Sequence, residues 1–125
     1  MKDFREAFRE RVKKFAREAR RHYEEGDLEL SAFFTEQCLQ FLLKLVLLNR
    51  TGAFPYTHNL HLLFKEVAKM VPGVEGFYSE NVSIVDDIYQ AYFSSRYLPI
   101  EFDREAVSRM LSFVERVIDL LKEET

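Results

Sequence analysis

Arg96 stands in the segment Ser94-Ser95-Arg96-Tyr97-Leu98-Pro99. A guanidinium offers a planar fork that matches phosphate oxygens, and a neighbouring tyrosine ring can stack on a nucleobase. Ser94 and Ser95 add short hydroxyl donors. Arg96, Tyr97, Ser94 and Ser95 are therefore the candidate ligand- or partner-binding residues. The competing reading pairs Arg96 with a carboxylate such as Asp86, Asp87 or Glu101 and packs Tyr97 on the end of the fold. A second basic feature lies at the start of the chain. Arg9, Lys13, Arg17, Arg20 and Arg21 recur at helical spacing, and such a stripe can follow a phosphate backbone or be a solvated helix face with pairs such as Glu10–Lys14.

Other chemistries find less support. His58 and His61 are three residues apart, close enough to share a metal, but no cysteine is near and Glu66 is the only close carboxylate. The His-Glu-x-x-His pattern is absent, so His58 is read as bonded across the 50–57 loop and His61 as a surface residue. Cys38 sits inside an apolar run, where a thiol behaves as a small hydrophobe. Ser31, Ser83, Ser94 and Ser95 lack a nucleophile elbow. No glycine-rich phosphate loop is present. No metal or cofactor is expected.

The elements that must position these residues read as helices. The chain has 125 residues, 47% apolar and 14% aromatic, with four Gly and three Pro. That is one domain's length, 1–125, with enough apolar surface for a core and too few turn residues for a β fold. Phe4, Phe8, Val12, Phe15, Ala19 and Tyr23 form the stripe of a first helix over roughly 2–25. Gly26 ends it, and Asp27 caps a second helix to about 49. The second half of that helix is apolar nearly all round, with Glu36, Gln40 and Lys44 as a narrow polar line. It is either the bundle centre or a subunit interface. Thr57 caps a third helix over 58–71, stopped by Pro72-Gly73. A fourth covers 80–94. Ser94–Phe102 reads as a loop, and Asp103 caps a fifth helix over 104–122. The expected fold is all-α, an up-and-down four-helix bundle with an additional helix.

Residues 1–25 carry nine Lys/Arg against six Asp/Glu; the remainder carries nine against fifteen. The overall charge of −3 argues against a dedicated nucleic-acid binder. One cysteine excludes an intrachain disulfide. The N-terminus lacks the apolar core of a signal peptide. The longest apolar stretch, Phe41–Leu48, is broken by Lys44 and is short of the roughly 20 residues a membrane span needs. A cytoplasmic protein without a membrane partner is the expectation.

Three ordered blocks carry a family resemblance. They are Ser31–Leu45, with Glu36-Gln37 at its centre; Pro55-Tyr56-Thr57-His58-Asn59-Leu60-His61-Leu62-Leu63; and Tyr92-Phe93-Ser94-Ser95-Arg96-Tyr97-Leu98-Pro99. In this order and spacing the chain resembles the HEPN domain of prokaryotes over roughly 5–122. The resemblance implies a helical bundle, usually homodimeric. Small stand-alone members are often encoded beside a minimal nucleotidyltransferase. They serve as its substrate- or nucleotide-binding subunit or as the toxin of a toxin–antitoxin pair. Ribonuclease members carry an Arg, four to six residues, and a His, often followed by a Tyr that the partner modifies. Here Arg96 matches the Arg, but Glu101, Phe102 and Asp103 stand where the His belongs. Arg17 and His22 have four residues between them but lie outside the matching block. The implied function is a non-catalytic binding module with a nucleotidyltransferase partner and a nucleotide or RNA ligand. The alternative is a ribonuclease using Arg96 with a divergent catalytic partner.

Overall fold

The computed structural model describes residues 3–97 and 101–125, with the side chains of Ser95, Arg96 and Tyr97 outside the described set. Six α-helices follow in order among the described residues: α1 Phe4–Glu24, α2 Leu28–Thr51, α3 Leu60–Ala68, α4 Val74–Glu80, α5 Val82–Tyr97 and α6 Arg104–Leu120. A 3-10 turn, Lys122–Glu124, comes last. The all-α bundle expected from the sequence is what forms, with no strand among the described residues.

Helix α2 is its centre. It packs against α1, α3, α5 and α6, which is why apolar residues occur all round it. Leu39, Leu42, Leu43, Leu45, Val46 and Leu47 are all at most 2% exposed within the single chain. By length and composition α2 could span a bilayer, a property the broken Phe41–Leu48 run did not lead us to expect. However, 67% of its most apolar window is buried inside the bundle, so its apolar surface is used by the core. Of the two expectations for its apolar second half, this burial supports the bundle centre. Phe64, Val67, Ile88, Val107, Val114 and Val117 complete the main core.

The capping chemistry largely follows the sequence. Asp27 accepts from Leu30 N and Asp103 from Glu105 N. Gly52 ends α2 with φ of 81°, the left-handed conformation that glycine adopts without a Cβ penalty, and its N–H bonds Leu48 O at 2.9 Å.

Three boundaries differ from the sequence expectation. The third helix starts later: Asn59, not Thr57, is its N-cap, accepting from the N–H groups of both His61 and Leu62. Thr57 Oγ1 instead accepts from Asn59 N at 3.1 Å, leaving His58 outside the helix. An unexpected short helix, α4, follows Pro72-Gly73 because Val74 is fully buried and Phe77 and Tyr78 pack on the core. Finally, α5 continues through Ser94 to Tyr97, where a loop was expected. Ser94 Oγ donates back to Gln90 O at 2.9 Å, a local bond that a helix accommodates.

Candidate functional site

The polar line of α2 turns inward. Glu36 is 0% exposed and Gln40 is 3%. A buried carboxylate is costly without hydrogen-bond donors, and two amides supply them: Gln37 Nε2 donates to Glu36 Oε1 at 2.8 Å and Gln40 Nε2 to Glu36 Oε2 at 2.5 Å. One turn further, the half-buried Lys44 has its amine over the Phe54 ring at 5.8 Å. Burial lowers its affinity for a proton, while the charge of Glu36 opposes that effect.

Gln40 passes the network outward. With its Nε2 spent on Glu36, its Oε1 faces His58 Nδ1 at 3.3 Å. An amide oxygen only accepts, so Nδ1 is the donor in this contact. The His58 ring stacks on Tyr92 of α5, with centroids 4.8 Å apart and planes at 21°. His58 thus bonds across the 50–57 loop to α2, as expected from the sequence, and is also stacked on α5, and it remains exposed. Arg96 falls one turn after Tyr92 in the same helix. The arrangement joins a buried carboxylate, an amide relay and an exposed imidazole near the last turns of α5.

Of the predicted ligand residues, Ser94 is buried and its hydroxyl is engaged by Gln90 O. The side chains of Ser95, Arg96 and Tyr97 lie outside the described residues. Their backbone belongs to the end of α5 rather than to a loop.

The basic stripe of α1 is partly neutralised. Arg20 pairs with Glu115 of α6, and Arg21 with Glu18 and Glu25. That pairing holds the Glu18 carboxyl below its ordinary range, chiefly through its bond to Arg21. Arg9 Nε donates to Thr125 O at 3.0 Å. Lys13 and Arg17 remain exposed and make no salt bridge among the described residues. His22 stacks on Phe34 at 5.4 Å, which sets it into the bundle.

The sequence reading missed Glu36, Gln40, Lys44, His58 and Tyr92 as one group. A signal was present: Glu36, Gln40 and Lys44 are spaced i, i+4 in a helix otherwise apolar all round, and the segment carrying His58 follows that helix.

His61 is likewise not a free surface residue. Its two ring nitrogens contact Tyr78 and Asp86. No cluster of three or more His, Cys, Asp or Glu able to hold a metal occurs among the described residues. Cys38 is fully buried, with burial pushing its thiol up to about 12.

Comparison with curated proteins and with solved structures returns no match. The family model for the HEPN domain matches residues 6–124, which contain every element from α2 to α6 and all but the first residues of α1. The chain therefore belongs to the HEPN family and is, at that level, a helical module of the binding or ribonuclease type.

Proposed function

We propose that this protein is a non-catalytic HEPN binding module. It acts as a homodimer beside a minimal nucleotidyltransferase and holds a nucleotide or RNA at the end of α5. The observation that carries the reading is the polar network Glu36–Gln40–His58–Tyr92, which approaches the helix end bearing Arg96 and Tyr97. A buried carboxylate with its amides fixes the neighbouring groups in place, as a binding site requires. Arg96 then supplies a phosphate-binding fork and Tyr97 a stacking face. Lys13 and Arg17 add positive charge along the chain's first helix. With four to six residues left after Arg96, the next positions hold Glu101, Phe102 and Asp103, so the ribonuclease arrangement of the family is not completed there. Co-purification of the native protein with a nucleotidyltransferase tests the partnership. A protein recovered alone, with no affinity for that enzyme, removes it.

One observation favours a second reading, a ribonuclease. His58 is exposed, donates from Nδ1 to Gln40, and stacks on Tyr92, one turn before Arg96. In this reading His58 is the divergent catalytic partner, taking the proton of a ribose 2′-hydroxyl. RNA cleavage that is lost in both His58→Ala and Arg96→Ala distinguishes this reading from binding alone.

A further inference from the structure

A second constellation lies on the α3–α4–α5 side of the molecule, built from residues the site above does not use. His61 of α3 places Nδ1 2.6 Å from Tyr78 Oη of α4 and Nε2 3.0 Å from Asp86 Oδ1 of α5. The carboxylate of Asp86 can only accept, so His61 Nε2 carries the proton. In the neutral ring Nδ1 then holds the lone pair and accepts from the phenol of Tyr78. The order is carboxylate, imidazole, hydroxyl, with the imidazole fixed in the tautomer that can take the hydroxyl proton.

The rings are held in place. Tyr78 stacks on Phe64, which is fully buried, at 5.4 Å and 27°. His61 meets Tyr78 and Tyr89 edge-on, each at 5.8 Å. Tyr78 also lines an open cavity of about 350 Å³ with Lys65, Lys69, Glu75 and Ser79, large enough for a small organic molecule. Burial, with the charge of Asp86, raises the Tyr78 phenol above its ordinary value. Its reactivity cannot come from standing tyrosinate and must come from a base that removes the proton during attack.

We propose that Tyr78, His61 and Asp86 form an acyl-accepting triad in which Tyr78 is the nucleophile toward a small activated acyl donor. In the step, Tyr78 Oη bonds to the acyl carbon and the bond from that carbon to the leaving group breaks. The phenolic proton passes to His61 Nδ1. Asp86 stabilises the imidazolium, which returns the proton to the departing group. The product is an O-acyl tyrosine, and no electrons are gained or lost.

The test is acetylation of the intact protein by N-acetylimidazole, followed residue by residue by mass spectrometry. Tyr56 is 99% exposed and serves as the internal standard for an ordinary phenol. The triad predicts that Tyr78, although partly buried, is acetylated about tenfold faster than Tyr56, a modest share of what a positioned base can supply. Asp86→Asn, a change at an exposed position, and His61→Gln should bring Tyr78 to or below the Tyr56 rate, with the helical signal and melting profile recorded alongside. A Tyr78 no faster than Tyr56 in the unaltered protein overturns the proposal without reference to any variant. So does a fast Tyr78 that Asp86→Asn leaves unchanged, because the hydrogen bonds would then only join three helices.

Discussion

At the scale of single residues, burial decides which polar groups are structural and which can act. Cys38 is 0% exposed with its sulfur 3.5 Å from Val12 O. Replacing it with Ala should cost about 1–2 kcal/mol through lost packing and leave ligand binding unchanged; thermal melts beside a binding titration check this. Because burial pushes the thiol up to about 12, alkylating reagents at neutral pH should label it only as the chain unfolds. Gln40 carries more consequence. Its removal strips a donor from buried Glu36 and an acceptor from His58, so Gln40→Ala should destabilise by about 1–3 kcal/mol, read from denaturant midpoints. The role of Cys38 was legible in the sequence because its neighbours in the helix are apolar. The role of Glu36 and Gln40 was not. A polar line on an apolar helix looks the same from periodicity whether it faces solvent or faces amides and an imidazole brought in by distant elements.

At the scale of elements, local capping chemistry sets the boundaries. Asn59 satisfies two N–H groups at the start of α3, so Asn59→Ala should lower stability by about 0.5–2 kcal/mol, measurable by thermal unfolding. Thr57→Ala should cost less, since Thr57 accepts from Asn59 N ahead of the helix. Long amphipathic helices such as α1 and α6 were readable from their apolar spacing. Helix α4 was not, because seven residues containing Gly76 show little periodicity and Pro72-Gly73 reads as a stop. The end of α5 was misplaced because Ser94-Ser95 and Pro99 read as loop residues, whereas Ser94 is satisfied by its own helix. The C-terminal turn offers a pH test. Arg50 binds Glu124 at 2.5 and 2.9 Å, and Asn49 donates to Glu124 O. The bond to Arg50 lowers the Glu124 carboxyl below its ordinary value. A depressed folded-state value means the pair stabilises the turn above the unfolded carboxylate range and is lost as pH falls through the folded value. Protection of the Glu124 and Thr125 amides, taken as exchange relative to the intrinsic rate at each pH, should therefore fall on acidification. In Glu124→Gln the protection should be low throughout and lose this dependence.

At the scale of the whole molecule, the bundle closes around α2, and an all-α fold was legible because helical stripes and caps run nearly the length of the chain. Few large apolar residues remain outside: Phe4, Leu30, Tyr56, Leu62, Val82, Phe93 and Leu120 are those exposed among the described residues. The proposed homodimer thus rests on the family and not on an exposed α2 face. Sedimentation at micromolar concentration should give about twice the 14.9 kDa chain mass; a monomer would remove the dimer while leaving the α5-end site in place. That site is the central claim. It is tested most directly by titrating the purified protein with a labelled single-stranded oligoribonucleotide while following the RNA's length in the same samples. The account predicts saturable binding of RNA that stays intact, weakened at least about tenfold by Arg96→Ala, as expected for a lost charge-assisted phosphate contact, with little change in melting temperature. Cleavage of the RNA by the unaltered protein, or binding indifferent to Arg96→Ala in a folded variant, would contradict it.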